Sequence, residues 1–137
     1  MAIQMKVEAR NAILDAFETY GNTSCALRVY TGAQPADCIT ANAGTLLVDM
    51  NLPADWMAAA ATGSKAKAGT WSGTASGGAG ATPGHFRIYN SQATKDQTTC
   101  IMQGSCAIGS GDINFDGTIT TGQTVTISTF TLTAANA

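Results

Sequence analysis

The first part of the chain has the periodicity of an amphipathic helix. Apolar residues recur three and four positions apart on one face, at Ala9, Ala12, Ile13, Ala16, Phe17 and Tyr20. Charged and amide side chains fill the opposite face, and Gly21 follows as a residue that typically ends a helix in the left-handed conformation. The pattern predicts a helix over residues 4–20, most regular from Met5 to Tyr20. We expect its apolar face to pack on its own domain; docking of that face on a neighbouring subunit is the alternative.

The remainder of the chain alternates large or apolar residues with small or polar ones, as half-buried strands do. The clearest runs are CALRVY at 25–30, GTLLVDM at 44–50, the pair GTWSGTAS and HFRIYN within 69–90, and QTVTISTFTLT at 123–133. Turn residues such as glycine and proline separate them. We therefore expect residues 1–137 to form a mainly β, single-domain antiparallel β-sandwich or jelly-roll-like barrel, with one N-terminal amphipathic helix and a β body from 25 to 133.

Two glycine- or alanine-rich segments, 58–69 and 76–84, interrupt the strand pattern. Their small side chains predict long surface loops. The second has several glycines but no phosphate-binding pattern and no following helix, so a nucleotide is not expected there. Trp56 precedes the first loop, and we expect it to pack over the sheet edge; an exposed binding aromatic is the alternative.

Composition limits the classes of partner. Only 12% of the residues are charged, the formal net charge is −2, and the basic residues are dispersed except for Lys65 and Lys67, so neither nucleic acid nor an anionic membrane is expected. No apolar run approaches the ~18 residues that span a bilayer. The opening MAIQMKVEAR does not have the pattern of a secretory signal, which favours synthesis in a cytoplasm.

Four cysteines occur without a C-x-x-C pair, at Cys25, Cys38, Cys100 and Cys106. Zinc sites normally use closely spaced ligand pairs, so no zinc site is expected. In a reducing cytoplasm these residues would act as small apolar side chains. Alternatively, disulfides form after the protein leaves the cell, and the local pairs Cys25–Cys38 and Cys100–Cys106 are the simplest of three connectivities.

One stretch matches the first half of a calcium-binding loop, with Asp112, Asn114, Asp116 and Gly117 at the expected spacing. The position that should hold a bidentate glutamate is Gln123, and no amphipathic helix flanks the motif. Asp116-Gly117 is also a strong hairpin-turn sequence. We therefore expect a hairpin here and no metal.

No catalytic or cofactor-binding arrangement is predicted. His85 is the one histidine in the chain, and no nucleophile has a recognisable sequence relationship to it. Paired carboxylates in a catalytic pattern are not found either. We expect a protein that is not an enzyme and needs no cofactor.

The order of several motifs resembles a family of small tailed-bacteriophage virion structural proteins, encoded among head and tail genes. These motifs run along nearly the whole chain: ARNAILDAFETYG, LRVYTGAQPA, GTLLVDMNLPADW, GTWSGTASGGAGATPGHFRIYN, MQG and GQTVTISTFTLT. The resemblance implies a virion component, made in the host cytoplasm and without catalytic residues. The four cysteines are not part of the resemblance.

A small β domain of this kind suits a capsid decoration, or cement, protein. It would bind the major capsid protein or other virion proteins, and sibling copies as a homo-oligomer on the particle, through apolar and small-residue faces. We expect the contacts from the helix and the two loops. The candidate interface residues are Ile13, Phe17, Tyr20, Trp56, Lys65 and Lys67. The alternatives are a collar, connector or tail-associated protein, or an adhesion module in which Trp56 or Trp71 recognises a host glycan.

Overall fold

The structure is a computed structural model that describes residues 3–135. Within that range lie one helix and nine strands. They are α1 (Val7–Gly21), β1 (Ala26–Tyr30), β2 (Leu46–Asn51), β3 (Ser64–Ala66), β4 (Trp71–Thr74), β5 (His85–Tyr89), β6 (Cys100–Ile108), β7 (Ile113–Phe115), β8 (Thr124–Ile127) and β9 (Thr131–Thr133). The predicted fold class, mainly β with one N-terminal helix, is confirmed. No helix in this part of the chain is long and apolar enough to cross a membrane.

Five strands form the main sheet, in the order β2-β1-β5-β6-β7. The first four pair antiparallel, and β7 runs parallel to β6. Two further antiparallel pairs, β3 with β9 and β4 with β8, complete the β body. Strand β4 passes very close to β2: a Cβ placed on Gly73 would lie 2.7 Å from the Asp49 carbonyl oxygen. The sheet therefore curls and, with the two pairs, surrounds one core.

Aromatic rings line the centre of this core. Trp71 is fully buried, and its ring centroid lies 6.2 Å from that of Trp56 and 5.3 Å from that of Phe130. Phe86 of β5 meets Phe130 edge-on at 5.7 Å. These contacts connect the main sheet with both smaller strand pairs, because Trp71 lies on β4 and Phe130 directly precedes β9.

The central strand β5 is buried on both faces. Phe86 and Ile88 point to the apolar core, as the alternation predicts. The other face carries His85, Arg87 and Tyr89, and segment 31–44 lies over it. We call this second face the polar face and residues 31–44 the covering segment.

At the end of α1, Gly21 provides the close packing and Asn22 adopts the left-handed conformation. Gly21 is the last residue of α1 and not the left-handed residue that follows the helix. A Cβ at position 21 would lie 2.6 Å from the Trp56 ring, so a larger residue would not fit there. Asn22 takes the left-handed conformation instead, with φ 64°. The chain therefore needs glycine at 21 for close packing against the core.

Two local predictions are wrong. Segment 58–69 is not only a surface loop, because it contains β3, whose pairing with β9 fixes it to the body. Asp116-Gly117 does not close a hairpin, since β7 pairs with the preceding β6 and β8 pairs with the distant β4. Gly109 and Gly111, with φ 78° and 92°, let the chain double back before β7. Segment 76–84 does lie outside the strands.

Replacing the central ring should destabilise the fold strongly. We expect Trp71→Ala to lower the free energy of unfolding by about 3–5 kcal/mol, because it leaves a large cavity between two aromatic neighbours. Thr74→Ala, at an exposed position of the same strand, should change it by less than about 0.5 kcal/mol. Urea unfolding followed by tryptophan fluorescence measures both; equal effects would contradict this description of the core.

Candidate functional site

Helix α1 is attached to the β body mainly through polar side chains. The amide N–H of Gly63 donates to Asn11 Oδ1 at 2.9 Å, and Arg10 Nη1 donates to the Ala134 carbonyl at 3.1 Å. Leu14 is the one buried large apolar side chain of the helix. The side of α1 that carries these polar residues, which the sequence pattern predicts to be in solvent, therefore lies against the β body.

A buried lysine holds this orientation. The Lys65 side chain, on β3, is only 1% exposed, and its ammonium lies 2.6 Å from Asp15 Oδ1 and 2.7 Å from Glu18 Oε2. Burial is the largest influence on the Lys65 pKa and lowers it, but the hydrogen bonds to the two carboxylates outweigh burial and raise the pKa overall. The hydrogen bond from Lys65 is also the main reason why the pKa of Asp15 is lowered. An ammonium buried this deeply needs both carboxylates, so α1 turns them inward.

The apolar face of α1 consequently points to solvent. Ile13 is 52% exposed and Tyr20 is 68% exposed. The three alanines of the same face are also exposed, which gives one continuous stripe. We call this the outer helix face; it comprises Ala9, Ala12, Ile13, Ala16 and Tyr20. The expectation that the predicted apolar face packs on its own domain holds for Phe17, which packs against the core, and is wrong for the rest of the face, because Lys65 attracts the side with Asp15 and Glu18.

The other candidate contact residues are buried or already make contacts within the protein. Trp56 and Lys65 are buried and so offer no surface to a partner. Phe17 is half-buried and meets the Trp56 ring edge-on at 6.1 Å. Lys67 donates to the Gly69 carbonyl at 2.7 Å. Of the six candidates, only Ile13 and Tyr20 are available as large exposed apolar groups.

The polar face is organised by a second buried cation. Arg87 is fully buried, and its Nη2 donates to the carbonyls of Asp37 and Thr40 at 3.1 and 2.7 Å and to Gln103 Oε1 at 2.9 Å. Gln103 in turn donates to the Pro35 carbonyl at 2.6 Å. These bonds hold the covering segment on the sheet. Alternation places Arg87 on the face opposite the core, but no sequence pattern identified the segment that covers it.

His85 fixes the other end of the covering segment. Its Nδ1 lies 2.9 Å from the Gly32 carbonyl oxygen, its Nε2 lies 2.6 Å from Asn42 Oδ1, and its ring stacks on Tyr30 at 5.1 Å. Burial, helped by the charge of Arg87, lowers the pKa of His85 below its ordinary value of 6.5. The lowered pKa favours the neutral imidazole, and the contacts with Gly32 and Asn42 give the ring a structural role in holding the covering segment.

A pair of tyrosines extends the same network. The hydroxyl groups of Tyr30 and Tyr89 are 2.7 Å apart in a buried hydrogen bond. Burial raises the pKa of Tyr89 well above its ordinary range. The polar face thus carries a hydrogen-bonded layer between the sheet and the covering segment.

The structure separates the cysteine pairs that lie near each other in sequence. Cys25 is in the apolar core, whereas Cys38 lies in the covering segment on the other side of the sheet. Cys100 and Cys106 are six residues apart on the single strand β6, which is roughly 20 Å in an extended strand, far beyond disulfide reach. All four residues are free thiols here. The Cys38 thiol, however, lies near enough to Cys100 to affect it: burial first, and then Cys38, raises the pKa of the Cys100 thiol.

The calcium-like motif is used for local structure. Asp112 Oδ2 accepts hydrogen bonds from the Ser105 amide at 2.8 Å and from its hydroxyl at 2.9 Å, which ties the Gly109–Asp112 reversal to β6. In residues 3–135 no three His, Cys, Asp or Glu side chains are grouped so that they would hold a metal ion.

Comparisons of the chain with protein families, with curated proteins and with solved structures gave no match.

Removing the buried ammonium should weaken the attachment of the helix. We expect Lys65→Met to lower the free energy of unfolding by about 1–2 kcal/mol, because two carboxylates lose their partner but remain partly solvated. The double change Asp15→Asn with Glu18→Gln should destabilise more, since it leaves the ammonium buried without a counter-charge. Lys67→Met is the matched control and should have little effect. Urea unfolding measures all three; a double variant as stable as the native chain would contradict the orienting role of Lys65.

The buried histidine should make stability depend on pH. Its pKa is lower in the folded than in the unfolded chain, so protons bind preferentially to the unfolded chain below about pH 6.5. The stability contributed by neutral His85 is therefore complete above that pH and is lost as the pH falls towards the folded-state pKa. Melting temperatures between pH 7.5 and 5.5 should decline for the native chain and decline less for His85→Gln. An NMR titration of the single histidine giving a pKa of 6.5 or higher would contradict this prediction.

Proposed function

We propose that this protein is a non-enzymatic bacteriophage virion structural protein, and that it acts as a capsid decoration protein. Its partner on the particle is the major capsid protein, and neighbouring copies of the chain bind beside it. The role follows from the motif order that resembles small tailed-phage structural proteins. The outer helix face is the structural observation that supports it most directly.

An apolar face on a surface helix is a ready contact for another protein. Ile13 and Tyr20 each have half or more of their surface in water, and burial of a side chain of this size stabilises a complex by roughly 1.5–3 kcal/mol. The flanking alanines let a partner approach the helix backbone closely. The stripe therefore has large anchoring groups set among small residues.

The attachment of α1 favours a rigid contact. The Lys65 ion pairs and the hydrogen bonds from Gly63 and Arg10 hold the helix in one orientation before any partner arrives. A pre-organised face loses less conformational entropy on binding. Because few residues are charged, binding also requires little desolvation of charged groups. Binding by many copies would then raise the free energy needed to rupture the shell.

The alternative roles differ in what they require of the chain. A collar, connector or tail-associated protein would use the same outer helix face, but in far fewer copies per particle. A glycan-binding adhesion module through Trp56 or Trp71 is disfavoured, because both rings are fully buried and offer no face to a sugar.

The proposal predicts an abundant virion protein whose retention depends on the outer helix face. In particles purified from a culture carrying the chain's own gene, mass spectrometry should find copies in numbers comparable with the capsid protein. The double change Ile13→Lys with Tyr20→Lys should reduce retention at least tenfold, because lysine ammonium groups would be desolvated in an apolar contact. Melting temperatures of the purified variants verify that they are folded.

The matched control is Ile39→Lys, which makes the same change at a 79% exposed position away from α1. It should leave retention unchanged. A low copy number would favour a collar or tail position. Loss of self-association in native mass spectrometry, with retention unaffected, would assign the outer helix face to sibling copies instead of the capsid protein. Absence of the chain from particles would overturn the proposal.

A further inference from the structure

The covering segment shields the polar face of the sheet without being buried itself. None of its residues is buried, and Ile39 at its tip is 79% exposed. Its attachment is by hydrogen bonds from Arg87, His85 and Gln103. A segment with so little buried apolar surface belongs to the part of a fold that opens at low free energy.

The same bonds bring one cysteine over another. Arg87 binds the carbonyls of Asp37 and Thr40, the residues on either side of the Cys38–Ile39 pair. Cys100 of β6 pairs with Tyr89 of β5. Tyr89 follows Arg87 by two residues and lies on the same polar face, so Cys100 is on that face as well. The two thiols are therefore neighbours, and the Cys38 thiol adds to burial in raising the pKa of Cys100.

We propose that Cys38 and Cys100 form a reversible disulfide that locks the covering segment onto the sheet when the protein leaves a reducing environment. Both residues are only partly buried, so a small oxidant can reach them. The other two cysteines are buried in the core. Cys25 lies beyond the Tyr89 end of β5 and Cys106 beyond the His85 end, which separates them by roughly 20 Å along the sheet.

The reaction balances as a thiol–disulfide exchange with a small-molecule disulfide such as oxidised glutathione. The Cys38 thiolate attacks the small disulfide, forms a mixed disulfide and releases one equivalent of small thiol. The Cys100 thiolate then attacks the Cys38 sulfur and releases the second equivalent. The protein loses two hydrogen atoms, and the small disulfide gains them.

The proposed disulfide would restrict a large part of the chain. The bond would close a loop of about 60 residues and so restrict the unfolded chain considerably. It would also add a covalent bond to the hydrogen bonds that hold the segment on the sheet. The inference concerns the purified chain alone and stands independently of the virion role proposed above.

The test uses the native chain, incubated folded with oxidised glutathione and then alkylated. Trypsin and cyanogen bromide together place each cysteine on its own peptide, so mass spectrometry identifies any linked pair directly. We expect the Cys38 and Cys100 peptides to be joined, with Cys25 and Cys106 still alkylated after denaturation. The melting temperature should rise by roughly 10 °C. Amide hydrogen exchange in the covering segment should slow, and a reductant should reverse both changes.

Two single variants serve as controls. Cys38→Ser and Cys100→Ser should each stay folded, show no linked peptide and show no rise in melting temperature on oxidation. Four alkylated thiols in the oxidised native chain, or a linkage between any other pair, would overturn the proposal. A rise in melting temperature that persists in either serine variant would do so as well.

Discussion

Two buried cations determine how the surface elements of this protein are arranged. Lys65 and Arg87 are both nearly inaccessible to solvent, and a charge removed from water must be met by other polar groups. Lys65 obtains two carboxylates from α1, whereas Arg87 obtains backbone carbonyls from the covering segment and the amide oxygen of Gln103. Each cation therefore holds a peripheral segment against the β body in one orientation.

The requirement of Lys65 explains why α1 is inverted relative to a simple amphipathic helix. Hydrophobic burial alone would turn Ile13 and Tyr20 inward. The ion pairs instead select the face with Asp15 and Glu18, and the apolar stripe is left in water. Exposure of large apolar groups on a rigid helix is typical of a contact surface, and it connects the buried electrostatics to the proposed role in an assembly.

The hydrogen bonds that Arg87 needs are only partly supplied by the residues around it. Its Nε and Nη1 atoms have no protein hydrogen-bond partner among the described residues, so the contact with the covering segment satisfies the guanidinium only in part. A segment held in this way gains more from a covalent bond than a segment buried in the core would. The proposed bond between Cys38 and Cys100 would lie beside this contact and add to the hydrogen bonds that Arg87 makes with the covering segment.

The order of residues along the chain was enough to predict the helix and the clearest strands. Alternation identified strands at Leu27, Val29, Phe86 and Ile88, and the helical period located α1 to within a few residues, because both patterns are imposed by backbone geometry. It did not determine which face of α1 packs, that β7 pairs with β6, or that Cys38 meets Cys100. Those outcomes depend on contacts between residues far apart in the chain, such as Lys65 with Asp15, and on the competition between burying apolar surface and satisfying a buried charge. The outcome of that competition is visible only in the folded chain, because the fold, and not the spacing along the sequence, sets the partners of a buried charge.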